Sequence, residues 1–253
     1  MRFVTGVLCL LLLSACAKAP VKAAPPPAPS PADRLCADPE LNDKQVAFAG
    51  QDGTYLAAYL LGGGRAQVTL VLAPQASATG CSWLGWAKRE ADAGYRVLAF
   101  DFHGEGRSGR PGAATNSGDV AAAAAFARAK GGRDVVLVGA SRGGTASLVA
   151  AAGLEPPPAA VISLSAPDRY AGENALPAVP KINAPVLYVA ATGDSQYAAS
   201  ARALSDATPA ANRTLTLVPG SLHGTALLTI AADGAAEAGR AVDDFLAIHA
   251  RPA

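Results

Sequence analysis

The sequence predicts an α/β domain with a mostly parallel sheet of eight strands and helices on both faces. Two patterns carry that expectation. Short β-branched or apolar runs recur along the chain, and from the third onward they alternate with helix-like stretches. Parallel strands joined by crossover helices read this way. Runs such as Val135–Val138 and Val186–Val189 are apolar without alternation, as strands covered on both faces must be.

Strands are expected near residues 45–49, 54–60, 67–73, 95–101, 134–139, 160–165, 185–190 and 213–218. The first two flank Gln51-Asp52-Gly53, a hairpin-type turn signal, so they should pair antiparallel. Helices are expected at residues 84–93, 117–130, 143–152, 196–206 and 225–249. Asp119, just before Ala121–Ala125, places negative charge at a helix N-terminus, and Gly131-Gly132 closes that helix. Pro156-Pro157-Pro158 stops the next one. Asp233-Gly234 divides the last stretch in two.

The N-terminal end does not read as part of this domain. Arg2 precedes an apolar run, Phe3 to Leu13, of 11 residues. That is too short to span a bilayer and fits the core of an export signal, residues 1–15. Leu13-Ser14-Ala15-Cys16 resembles a bacterial lipobox, which implies cleavage before Cys16 and acylation of that cysteine, palmitate included. An ordinary secretory cut near Ala17 is the alternative. Residues 16–32 are dominated by Ala, Pro and Lys around Pro25-Pro26-Pro27. Such a tether bears too little apolar side chain to fold, and at ~3.1 Å per residue it could hold residues 33–253 up to about 50 Å from a membrane. The expected location is the cell envelope, lipid-anchored; with Ala17 after the cysteine, this means the periplasmic face of the outer membrane in a two-membrane bacterium.

Net charge is +1 with 16% charged residues and no basic stripe, which argues against a nucleic-acid partner. Of four cysteines, Cys9 leaves with the signal and Cys16 would carry lipid. Cys36 and Cys81 remain, either as a disulfide in an oxidising compartment or as two free thiols. No Cys/His cluster suggests a metal. No cofactor is expected, and the chain is expected to act as a monomer.

Residues 135–144 read Val-Val-Leu-Val-Gly-Ala-Ser-Arg-Gly-Gly, a buried-strand pattern running into G-x-S-x-G with Ser141 at its centre. A serine on a strand-to-helix turn is a candidate nucleophile, provided a histidine takes its proton and a carboxylate holds the histidine. Loops at the C-terminal ends of parallel strands converge on one edge, so the partners should follow other strands. Asp194 follows the strand at 185–190 and His223 the strand at 213–218. Of three histidines, His249 lies at the C-terminus and His103 follows the strand ending at Asp101, leaving His223 as the candidate base. Asp168, after the strand at 160–165, is the rival acid, and position favours Asp194.

The order Ser141, Asp194, His223, with strand, elbow and helix around the serine, resembles the α/β-hydrolase superfamily over nearly all of residues 45–249. Asp101-Phe102-His103-Gly104-Glu105-Gly106-Arg107-Ser108 is similar to the family's D-x-R-G-x-G-x-S loop, with His103 in place of arginine. The resemblance implies structural roles for Asp101, His103 and Ser108; a second catalytic histidine is the alternative reading of His103. It also implies an oxyanion hole from the Arg142 amide and an amide after the third strand. Here that strand runs into Ala73-Pro74-Gln75, so the second donor is Gln75, or Ala76 if the register slips, since Pro74 has no N–H.

Family lids usually follow the strand at 160–165. Here Asp168 to Pro185 is under twenty residues and contains Pro177 and Pro180, too little for a helical cap. The resemblance therefore implies an open-site serine hydrolase that cleaves carboxylic esters with small or exposed acyl groups through an acyl-enzyme. A peptidase or thioesterase would use the same parts. A non-catalytic envelope lipoprotein that uses the fold for binding is the alternative from another class. Trp83 and Trp86 either wall a substrate pocket or pack in the core, and the Arg142 side chain either attracts anionic substrates or is solvated.

Overall fold

All eight expected strands form, and they assemble into one sheet. The structure is a computed structural model that describes residues 1, 36, 38–64, 66–110 and 112–252. Residues 2–15 of the expected signal, Cys16 and the tether lie outside the described residues. The strands are β1 (Gln45–Ala49), β2 (Tyr55–Leu61), β3 (Val68–Ala73), β4 (Arg96–Phe100), β5 (Asp134–Ala140), β6 (Ala160–Leu164), β9 (Val186–Ala191) and β10 (Arg213–Val218). Between β6 and β9 lies a separate two-residue ladder, β7 (Arg169–Tyr170) with β8 (Glu173–Asn174).

The spatial order is β1-β2-β4-β3-β5-β6-β9-β10. The β1–β2 and β2–β4 pairs are antiparallel, as the turn at Gln51-Asp52-Gly53 leads one to expect for the first, and every pair from β4 to β10 is parallel. β3, β4, β6 and β9 are buried along their whole length, and β5 from Val135 onward. That burial is why they carry apolar runs without alternation.

Among the described residues six α-helices cover the sheet: α1 (Leu84–Asp92), α2 (Asn116–Ala129), α3 (Arg142–Ala151), α4 (Ser195–Ala207), α5 (Ala226–Thr229) and α6 (Ala235–His249). On one face Trp86 of α1 and Val242 and Leu246 of α6 pack with Leu70, Leu72, Val136 and Val138. On the other, Ala123 of α2, Leu148 of α3 and Leu204 of α4 pack with Val71, Leu137 and Tyr188. Alternate residues of β5 thus serve opposite cores. Thr115 caps α2, its hydroxyl accepting the Gly118 N–H at 3.0 Å. Gly234, at φ +83°, opens α6 and separates it from α5.

Two alternatives left open by the sequence are resolved here. Trp83 and Trp86 are 0% and 1% exposed and belong to the core cluster, so they wall no pocket. Truncating either to alanine would cost about 3–5 kcal/mol. Cys36 and Cys81 form a disulfide, with Cα atoms 5.3 Å apart. It fastens the start of the domain to the short 3-10 helix Gly80–Trp83 that leads into α1.

The segment between β6 and β9 holds only the β7–β8 ladder and one 3-10 turn, Val179–Lys181, so this segment supplies no helical cap to the C-terminal edge of the sheet. Among the described residues, no helix is long and apolar enough to cross a membrane.

Candidate active site

The β5–α3 turn is drawn tight by its glycines. A Cβ on Gly139 would overlap the Gly143 carbonyl oxygen, and one on Gly143 would overlap that of Ala73. Only residues without side chains let the start of α3 sit this close to β5 and to the end of β3. The turn forces Ser141 to φ +50°, ψ −116°, outside the regions L-residues favour. Strain of this kind is worth about 1–3 kcal/mol and persists only where the surroundings hold it. Here the Ser141 N–H donates to the Leu164 carbonyl at 2.8 Å, and its own carbonyl accepts the N–H groups of Gly144 and Thr145 at 2.9 and 3.2 Å.

Asp194 and His223 meet from neighbouring strand ends. The Gly193 N–H donates to the Gly220 carbonyl at 2.8 Å, joining the loops after β9 and β10. Nδ1 of His223 then lies 2.7 Å from Oδ2 of Asp194. Asp194 precedes α4 in the cap position, yet its carboxylate makes no cap hydrogen bond. Its side chain serves the imidazole, which decides between turn aspartate and histidine partner. Asp168 instead sits at the base of the β7–β8 ladder, its carbonyl accepting the Ala175 N–H at 2.8 Å. The Tyr197 ring, on the first turn of α4, lies 4.2 Å from the His223 ring at 58°.

The loop after β10 also packs on the nucleophile turn. A Cβ on Gly224 would overlap Oε1 of Gln75 and lie 3.5 Å from Cβ of Ala140. Ser141, His223 and Gln75 are thus carried by three loops in mutual contact. Among the described residues, the amide N–H groups of Arg142 and Gln75 donate to no acceptor.

The Arg142 side chain departs from the expectation that it is solvated. It is not solvated but buried, its Nη1 donating to Oε1 of Glu105 at 3.1 Å and its Nη2 to the Gln75 carbonyl at 3.3 Å. Its guanidinium lies 4.4 Å above the Phe102 ring.

His103 takes the structural role. Its ring Nδ1 and its backbone N–H lie 2.6 and 2.9 Å from Oδ2 of Asp119, tying the loop after β4 to α2. Burial pushes the Asp119 carboxyl up, and His103 opposes that shift. Asp101 likewise holds its loop, accepting the Gly80 N–H at 2.8 Å and the Arg107 N–H at 3.0 Å. The Ser108 hydroxyl donates to the Asp101 carbonyl at 2.6 Å and accepts the Ala57 N–H at 2.9 Å. Among the described residues no group of three or more His, Cys, Asp or Glu side chains could hold a metal ion.

Tyr197, Thr225 and Glu105 belong to this site and were not singled out from the sequence. The one cue available for Tyr197 was its place three residues after Asp194, on the turn that opens α4.

The sequence profile of the alpha/beta hydrolase fold matches residues 68–224. Among solved structures, a Pyrococcus furiosus esterase superimposes with a TM-score of 0.67 at 16% identity, over 81% of this chain and 92% of that one. A thermophilic esterase from Thermogutta terrifontis gives 0.66 at 16% identity, over 81% and 99%. An esterase from a Rhodococcus species gives 0.67 at 15% identity, over 81% and 99%. These likenesses concern the fold. No curated protein matches the sequence.

Proposed function

The chain belongs to the alpha/beta hydrolase fold family, and from that premise we propose that it is a serine hydrolase of carboxylic esters with small or exposed acyl groups. The observation that carries this reading is the His223–Asp194 pair at 2.7 Å, on a loop packed against the strained turn of Ser141. A carboxylate on Nδ1 fixes the tautomer that leaves Nε2 free to accept a proton.

In the proposed reaction Ser141 Oγ attacks the ester carbonyl carbon while its proton passes to His223 Nε2. The oxyanion is met by the N–H groups of Arg142 and Gln75, and losing one such donor typically costs ~10²–10³ in rate. Collapse breaks the bond to the alcohol, which leaves with the proton from His223. Water then gives a proton to His223 and attacks the acyl carbon; Ser141 departs, takes that proton back, and the carboxylic acid is released.

The β6–β9 segment, with no helical cap of its own, supports small or protruding substrates over long chains that need an enclosing lid. Purified protein should hydrolyse p-nitrophenyl acyl esters with kcat/KM falling as the acyl chain lengthens, and Ser141→Ala should abolish turnover. No turnover of any ester by folded protein would reject the reading. Thioester and peptide analogues in the same panel separate the variants of this chemistry.

We also propose export as a lipoprotein anchored through Cys16 in the cell envelope, resting on the residues before the domain. Mass spectrometry of the mature N-terminus should find acylated Cys16, whereas an unmodified peptide beginning at Ala17 would refute it.

A further inference from the structure

Gln75 touches both other loops of the site, through different atoms. Its carbonyl accepts from Arg142 Nη2 at 3.3 Å and from the Ala78 N–H at 3.3 Å. Its side-chain Oε1 accepts from the N–H of Thr225 at 3.0 Å and from the Thr225 hydroxyl at 3.2 Å. Thr225 lies two residues beyond His223, is 6% exposed, and is 150 residues from Gln75 in sequence. The fit leaves no slack, because a Cβ on the intervening Gly224 would overlap that same Oε1.

We propose that the Gln75 side chain is a positioning residue that couples the oxyanion hole to the general base. The inference rests on the hydrolase reading above. In that reading the residue's backbone N–H faces the developing oxyanion, while its side-chain oxygen fixes the loop that carries His223. Arg142 acts from the other side: its N–H serves the hole, and its guanidinium restrains the Gln75 backbone, with Glu105 holding the guanidinium in turn. The donors and the base therefore move as one body, and neither reaches its place unless the other is in place.

The chemistry of the interaction selects the variants. Gln75→Leu keeps the backbone N–H and a similar volume but leaves two Thr225 donors without an acceptor, in a part-buried contact where such loss is felt. Gln75→Glu keeps an acceptor oxygen at the same reach. Thr225→Val removes only the hydroxyl donor.

The experiment measures p-nitrophenyl acetate hydrolysis together with the low-field ¹H NMR resonance of the His223–Asp194 hydrogen bond, assigned by its loss in Asp194→Asn. Gln75→Leu should lower kcat about 10²-fold, the scale of a small misplacement of reacting groups, with KM unchanged and the resonance broadened or lost. Gln75→Glu should recover most of the rate and the sharp resonance, and Thr225→Val should fall between. Should Gln75→Leu fail to fold, Thr225→Val carries the same readouts.

Wild-type kcat and a sharp resonance in Gln75→Leu, or in Thr225→Val as its substitute, would overturn the proposal. So would a loss of rate in Gln75→Leu that Gln75→Glu does not restore. If wild-type protein is inert toward esters yet Gln75→Leu still broadens the resonance, the coupling stands and the hydrolase reading fails.

Discussion

Asp194 precedes α4 in the position where a short acidic side chain ordinarily caps the helix, yet it gives its carboxylate to His223, 2.7 Å from Nδ1. A residue that forgoes a local, stabilising hydrogen bond for a partner 29 positions away is placed for the imidazole's sake. Helix capping is worth about 0.5–2 kcal/mol, so the fold gives up a comparable amount at this point.

Asp194→Asn is therefore expected to reduce ester turnover by ~10⁴, because the amide no longer holds the tautomer that bears a proton on Nδ1. The melting temperature should stay near wild type, since no cap is lost. Asp168→Asn should leave turnover intact. Steady-state kinetics and thermal melts of the two variants check this, and the opposite pattern would reassign the acid.

Gly143→Ala should damage both stability and turnover. The added methyl would overlap the Ala73 carbonyl and come within 2.8 Å of the Pro74 carbonyl, so α3 and the loop bearing Gln75 must separate. Overpacking of this kind costs about 1–3 kcal/mol. In a domain of this size that corresponds to a melting temperature lower by roughly 2–4 °C per kcal/mol. Differential scanning calorimetry reads the shift.

Removing the Cys36–Cys81 crosslink, which spans 45 residues, should lower unfolding free energy by about 2–4 kcal/mol. The Cys36→Ser, Cys81→Ser double variant and the oxidised protein are compared by urea denaturation. Equal midpoints would show that the bridge contributes nothing to stability.

A pH-dependent effect is expected at Glu90 on α1, which is 5% exposed. Burial pushes its carboxyl above the usual range, and the neighbouring Arg89 opposes the shift. A carboxyl with a raised folded-state pKa stabilises fully below its unfolded pKa and loses that contribution as pH rises through the folded value. Glu90→Gln should therefore be more stable than wild type near neutral pH, with the advantage vanishing in acid. Urea midpoints across that range test the sign.

Much of this was legible in the sequence because strand and helix periods are local. β5 and β9 announce their double burial in the apolar runs Val135–Val138 and Val186–Val189, and the elbow announces itself in glycines next to Ser141. The β7–β8 ladder was not legible, since two-residue strands carry no period; it turns at Ala171 and Gly172, at φ +48° and +84°. Nor were the side-chain ties. Which group Arg142 meets depends on Glu105, 37 positions away, and Gln75 finds Thr225 only once β3 and β10 present their ends at one edge. Position in the chain already favours Asp194 over Asp168, and the geometry adds its 2.7 Å contact with Nδ1 of His223.

The central claim is that Ser141 is a nucleophile activated by the His223–Asp194 pair. Incubation of the folded protein with a fluorophosphonate probe, followed by intact mass, tests it most directly. The account predicts one probe per chain on Ser141, no labelling of Ser141→Ala, and slowed labelling of Asp194→Asn. Folded wild-type protein that stays unlabelled, or that carries the probe on another residue, would contradict it.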